Sequence, residues 1–481
     1  MPVLVRATLI ASVLASAFPA FAQKPKTPVN VVKSPVAAAT IAPPRPATSR
    51  MQSVGFPQDA GPHDEANIEW WYFNSFFTTK SGRRFAVIGS FFRTGLTPRS
   101  KGHYLLYALM DLDKNRRAAH SVLDRSEIGL LRSLTQFVAT SRPDDPKPLQ
   151  LLAYLQRGTA PPPHRALTEN AVLRVNPRFS IAFQENTLSQ ESDDGRTWHA
   201  TLVGDKEAGD DWELELTLTQ PPDKRPAMLV GGKGMTGVKR PDEMYYLTLS
   251  RMEASGTLTL EGEVNTVSGT GWLDRQWGSP AFVSTYGWDW LGAQLDDGSD
   301  LLLFRIRDLK TGSSVKTEAT ILRPDGTQIV EKPTLIKSLG TWTDERTNTT
   351  FPSGFEVTLP VSGYKLSFAP AFADQTIPVI GIGDAIWEGA VTVTGTKTEA
   401  GPNTILPGQP AVPTDKASPV ATSGEKTPSA PEGKGEPAPA KEIHGTGFME
   451  LVGYKSRPRP AGAKGTAKPA PATETNEDKP R

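Results

Sequence analysis

The sequence predicts an all-β protein whose antiparallel strands close as barrels or pack as sandwiches. Three observations carry this expectation: alternation of apolar and polar residues without error, turn signals between the alternating runs, and a shortage of helical periodicity. "WELELTLTQ" puts Trp212, Leu214, Leu216 and Leu218 on one face and Glu213, Glu215, Thr217 and Thr219 on the other, as a strand with one buried face requires. "GTLTLEG", "FEVTLPV" and "GAVTVTG" repeat the pattern. Between such runs stand Lys80-Ser81-Gly82, Asp193-Asp194-Gly195, Asp296-Asp297-Gly298 and Pro324-Asp325-Gly326. Their Asp and Gly residues tolerate the backbone angles of tight turns. The best helix signal is "PLQLLAYLQR", Pro148 to Arg157.

Residues 1–22 read as a signal peptide: Arg6, then the apolar run "ATLIASVLASAFPA", then Ala20-Phe21-Ala22 as a cleavage site. The expected mature protein starts after Ala22, is periplasmic or secreted, and has no transmembrane segment, because no other apolar run approaches the roughly 20 residues of a membrane helix. There is no Cys, so disulfides, thiolate chemistry and a lipid-anchor Cys are excluded. Lys and Arg total 53 against 52 Asp and Glu, a balance that gives no field to steer the chain to nucleic acid.

Residues 23–51 are rich in Pro, Ala and Lys and read as a disordered linker, as do the insertion at about 400–440 and the basic tail 456–481. The insertion separates two strand-like runs, "WEGAVTVTGT" and "GTGFMELVGY", as a long loop in a hairpin would. Pro and Gly interrupt the strand pattern from Pro221 to Met244. A domain boundary is expected there, giving one β domain at 52–230 and a second at 240–455.

Candidate chemistry is sparse. His63, His103, His120, His164, His199 and His444 are dispersed without metal-ligand spacing, and no nucleophile elbow, phosphate loop or dinucleotide fingerprint is present. Nothing in the pattern calls for a metal or a cofactor. Two aromatic segments stand out. In "NIEWWYFNSFF", Glu69 precedes Trp70, Trp71 and Tyr72, and strand alternation sends Trp70 and Trp71 to opposite faces. In "GTGWLDRQWGSPAFVSTYGWDWLGAQLDDGSDLLLFRIRD", Trp272, Trp277, Trp288 and Trp290 are interleaved with Asp274, Arg275 and Asp289. An Asp-x-x-Trp-Gly turn at Asp274 would gather a carboxylate, a guanidinium and an indole N–H, groups that must pair if buried. Alternation also sets Trp288 and Trp290 opposite Asp289, and Arg305 and Arg307 opposite Phe304 and Ile306.

Taken together, "EWWYF", "YYLTLSRMEASGTLTLEGEVNTVSGTGWLDRQWGS", "GWDWLGAQLDDGSDLLLFRIRD", "WEGAVTVTG" and "GTGFMELVGY" resemble the carotenoid 1,2-hydratase and AttH-like family over most of Gly61 to Tyr454. The resemblance implies two tandem lipocalin-like β-barrels, with the EWWY strand and the Asp-x-x-Trp-Gly segment near their junction. Trp70 is then expected in a barrel interior and Trp71 at the seam. In the hydratase branch, an acid site uses a His two residues before the matching Trp, with Tyr and Asp from a following strand. Here that position is Arg275, and Leu301 to Arg307 contains neither Tyr nor Asp, so the resemblance argues against that chemistry there. The AttH-like branch implies an extracytoplasmic protein linked with an ABC-type transporter.

The leading expectation is therefore an exported protein that holds an apolar small molecule, an isoprenoid or a lipid. Trp70, Trp71, Tyr72, Trp277, Trp288 and Trp290 would form its walls, and Glu69, Asp274 and Arg275 would fix a polar head. The alternatives are a hydratase or cyclase acting on an apolar polyene, with Asp274, Trp277 and Glu69 as catalytic candidates, and a cell-envelope scaffold.

Overall fold

A computed structural model describes residues 54–141, 143–220, 225–280, 285–380, 385–398 and 440–454. The expected signal peptide, the linker at 23–51, nearly all of the Pro-rich insertion and the basic tail lie outside them.

The chain is mostly β, organised as two curled half-barrel sheets. At the centre of the 13-stranded first sheet, Arg84–Thr97, Ile68–Thr79, Glu263–Gly278, Met244–Leu260 and Trp212–Thr219 lie side by side. In the 10-stranded second sheet the corresponding order is Asp300–Asp308, Tyr286–Leu295, Lys441–Val452, Ala385–Lys397 and Tyr364–Pro370. Trp387 pairs with Leu451 and Lys397 with Lys441, so the strands flanking the Pro-rich block form one hairpin.

The break expected at Pro221 to Met244 does not separate the two sheets. Met244–Leu260 and Glu263–Gly278 return to the first sheet and pair with Trp212–Thr219 and Ile68–Thr79. The change of sheet falls between Gly278 and Tyr286. Pro and Gly mark a strap here: Met228–Leu229 pairs with the Met244–Leu260 strand, and the Leu229 and Gly231 N–H groups donate to Gln328 and Thr320 of the second sheet.

Helix Pro146–Leu155 occupies the expected place, with Asp145 accepting from the Lys147 N–H at its start. The longer helix Arg125–Ser141 was not expected. It buries Ile128, Leu131, Leu134, Thr135 and Val138, a helical period of apolar positions, and the Asp124 carboxylate accepts from the Glu127 N–H at 2.7 Å.

Among the described residues, alternation divides most of the burial among three main cores, with three smaller clusters beside them. Trp71, Phe73, Phe85, Phe91, Phe183, Trp198 and Trp212 are among the side chains packed inside the first half-barrel. Phe351, Tyr364, Phe368 and Trp387 belong to the interior of the second. The outer faces of the central strands meet in a third core, a seam that includes Tyr72, Tyr246, Trp272, Trp290, Phe304 and Phe448. Both half-barrel interiors are thus occupied by the protein's own side chains, which moves the search for a functional site to the seam.

Candidate functional site

The strand Ile68–Thr79 lies against Glu263–Gly278 with Glu69 opposite Trp277, Trp71 opposite Arg275, Tyr72 opposite Asp274 and Asn74 opposite Trp272. Directly opposed residues share a face and successive residues alternate. Glu69, Trp71, Arg275 and Trp277 therefore lie on the inner side, and Trp70, Tyr72, Trp272 and Asp274 on the seam side. The expected orientations of Trp70 and Trp71 are reversed: Trp71 stacks on Phe179 at 4.4 Å inside the half-barrel, while Trp70 is partly buried against the seam.

The same alternation undoes the expected single pocket. Asp274, Arg275 and Trp277 lie in a regular strand, not in a turn, and consecutive Asp274 and Arg275 belong to different environments. On the inner side, Arg275 Nη2 meets Glu69 Oε2 at 2.5 Å, with both side chains fully buried. Arg93 Nη1 donates to the other Glu69 oxygen at 2.7 Å. The Arg275 guanidinium lies 4.0 Å from the Trp71 ring centroid, and His63 stacks on Trp277 at 4.1 Å. Burial alone would raise the Glu69 pKa; the charge of Arg275 and hydrogen bonds from His63, Arg93 and Arg275 outweigh it and hold the carboxylate at about 2. This is a closed, charge-compensated lock.

The seam side is different. Asp274 accepts from Tyr246 Oη at 2.5 Å, Thr248 Oγ1 at 2.6 Å and Trp272 Nε1 at 2.7 Å. Trp290 Nε1 donates to Tyr246 Oη at 2.8 Å. No hydrogen bond or ion pair links a cation to Asp274 among the described residues. Burial pushes its pKa up to about 7 against the opposing pull of those three bonds.

The second sheet contributes two more acids. Glu388 and Glu450 stand directly opposite each other on neighbouring strands, and Glu450 is also opposite Trp290. Burial raises both carboxyls, Glu450 raises Glu388 further, and Asp274 adds to both. Like charges placed across a sheet repel, so the pair holds a proton between them well into the range where a free carboxyl has lost it. Tyr72 beside Glu388 and Trp288 beside Glu450 favour the ionised forms without outweighing burial. Glu388 is buried, whereas Glu450 and Trp288 keep partial exposure. The cluster reaches the surface there.

Of the residues expected at the site, Trp70, Tyr72, Asp274, Trp288 and Trp290 share the seam, while Glu69, Trp71, Arg275 and Trp277 belong to the lock on the other side. Asp289 does face away from Trp288 and Trp290, where Arg305 meets it at 2.5 Å and Arg307 at 3.1 Å. Tyr246, Glu388 and Glu450 were not anticipated. A legible signal existed for the last two: each is a lone acid in an otherwise apolar strand segment, at an alternation position shared with seam residues Ala390 and Phe448.

An AttH-like family model matches residues 164–402. Within this chain, residues 164–402 are AttH-like. The provisionally assigned AttH of Nitrosomonas europaea (NE1406) matches it at 24% identity and a TM-score of 0.56, over 84% of this chain and 98% of the other. The kievitone hydratase of Nectria haematococca matches at 13% identity and a TM-score of 0.54, over 84% and 94%. These two likenesses bear on the fold alone. No curated protein shows significant similarity to this chain.

Proposed function

We propose that this AttH-like chain is an acid catalyst of the seam, protonating a carbon–carbon double bond of an apolar, isoprenoid-like molecule. The observation that carries the reading is the set of three carboxyl groups, Asp274, Glu388 and Glu450, among indoles and phenols with no compensating cation among the described residues. A carboxylic acid kept neutral near pH 7 is a proton donor where it is needed, and indole faces stabilise a carbocation by cation–π attraction. The proton shared by Glu388 and Glu450 passes to the alkene carbon. Water then adds to the cation, and its surplus proton returns to the carboxylate. Tyr246, bonded to both Asp274 and Trp290, orders the polar end of the site. A kievitone hydratase built on the same fold is in keeping with such a reaction. The reading includes export of the mature chain after Ala22 and a link with an ABC-type transporter.

A second reading is a carrier of the same apolar class, favoured by Arg275 standing where the hydratase branch has a proton-donating His. A scaffold accommodates the filled half-barrels but leaves the uncompensated acids without a purpose. Incubating the protein with acyclic isoprenoids in D2O and following product mass separates these. Incorporation of deuterium and a hydroxyl, lost in Glu388→Gln and Asp274→Asn, supports the catalyst. Stoichiometric binding without conversion supports the carrier, and neither binding nor conversion leaves the scaffold.

A further inference from the structure

One buried acid belongs neither to the lock nor to the seam cluster. Glu127, in the first turn of helix Arg125–Ser141, is 7% exposed. No hydrogen bond or ion pair links a cation to it among the described residues. Its Oε2 accepts from Thr94 Oγ1 at 2.6 Å. Thr94 stands opposite Gly102 on the neighbouring strand, and one pleat further along the same face stand Phe92 and Tyr104, which pack against the seam. The start of the helix is therefore seated at the end of the seam face.

The seat is close. A Cβ at Gly102 would lie 2.6 Å from the Glu127 Cα and 2.7 Å from its N, so glycine is what lets the helix backbone touch the strand. Beyond this start, Ile128 and Leu131 pack with Leu123 and Leu155, and Tyr104 belongs to that cluster as well as to the seam.

The charges nearby do not compensate Glu127. Asp124 accepts from the Glu127 N–H and pairs with His103 Nδ1 at 2.8 Å. Arg93 is engaged by Glu69 and Asp64, and Lys101 by the carbonyls of Ala66 and Gly95. Arg125 and Glu169 are exposed. Burial pushes the Glu127 carboxyl up to about 7, with the Asp124 charge adding to the rise and the Thr94 bond opposing it. The stability this acid contributes is fully present below its released value of 4.5 and is lost as pH rises through about 7. Once ionised, it is relieved by reaching water.

We infer that helix Arg125–Ser141 is a proton-released clasp on the seam: with Glu127 neutral it is seated over Gly102 and covers Tyr104, and with Glu127 ionised its start lifts and opens that end of the seam. The clasp acts on access whatever molecule the seam takes.

The test is hydrogen exchange of the full chain at about pH 6 and about pH 8, corrected for the intrinsic pH dependence of exchange. Protection of the amides at the start of the helix should fall roughly tenfold between the two, as a carboxyl at about 7 when seated and 4.5 when released requires. The fall should disappear in Glu127→Gln. At about pH 8, acetylation of Tyr104 by N-acetylimidazole, read on its peptide by mass, should be faster in the wild type than in Glu127→Gln. No fall in the wild type, or a fall that persists in Glu127→Gln and disappears in His103→Gln, overturns the clasp. Helix amides that exchange only together with those of the strand Trp212–Thr219 show opening of the whole fold and overturn it too, a comparison that needs no variant. Equal acetylation of Tyr104 in the two proteins overturns the link to the seam.

Discussion

The two faces of the strand Glu263–Gly278 carry buried charge in opposite ways. On the inner face, Glu69 meets Arg275 and Arg93, with Trp71 against the Arg275 guanidinium. On the seam face, Asp274 meets only neutral donors among the described residues, and its charge would add to the burial that raises two glutamates on the facing sheet. Burial penalises the charged form on both sides. Where a cation is supplied the carboxylate stays ionised and the structure is fastened; where none is supplied the carboxyl is held as an acid. One residue step along the strand separates a lock from a reservoir of protons.

The largest effect should come from breaking the lock. Arg275→Met leaves Glu69 buried with half its compensation, and unfolding titrations should show a loss of about 3–5 kcal/mol. Glu69→Gln added to it should recover part of that loss. If Arg275→Met unfolds no more easily than the wild type, the inner pair is not a fastening.

The pH dependence sharpens the contrast, because the two carboxyls act in opposite directions. Asp274 has a folded pKa of about 7, raised from an ordinary 3.8. Its contribution is fully present below the unfolded value and is lost as pH rises through about 7, on the order of 4 kcal/mol in all. Glu69, lowered to about 2 from 4.5, contributes above its unfolded value and loses on the order of 3 kcal/mol as pH falls through about 2. Unfolding measured across pH should therefore show Asp274→Asn flattening the neutral limb and Glu69→Gln flattening the acid limb. A neutral limb that is the same in both proteins would contradict the seam assignment.

The paired tryptophans give smaller effects. Trp71→Phe forfeits the indole bond to the Ala60 carbonyl and the contact with Arg275, and should cost about 2 kcal/mol in denaturant unfolding. Trp70→Phe, at a partly exposed seam position, should cost under about 1 kcal/mol. Equal costs would remove the distinction between the two faces.

Alternation made much of this legible. It separated Trp288 and Trp290 from Asp289, and Arg305 and Arg307 from Phe304, as the structure does. The same rule applied to Asp274 and Arg275 parts them, but reading Asp274 to Gly278 as a turn concealed it. The sheet boundary was obscured because pairing of Glu263–Gly278 with Ile68–Thr79 joins segments about 200 residues apart, which no local pattern announces. Pro and Gly at 221–244 mark a strap as readily as a linker. Glu388 and Glu450 went unremarked because an isolated acid in a strand normally faces water; only their shared parity with seam residues says otherwise. The helix Arg125–Ser141 had its signal in the spacing of Ile128, Leu131, Thr135 and Val138.

The central claim, that the seam holds neutral carboxylic acids, is tested most directly by the infrared carbonyl absorption of protonated carboxyl groups at neutral pH. The account predicts a band in the wild-type protein that weakens in Asp274→Asn and again in Glu388→Gln, and that is untouched by Glu69→Gln. A spectrum at neutral pH with no such band, or one that changes only with Glu69→Gln, would contradict it.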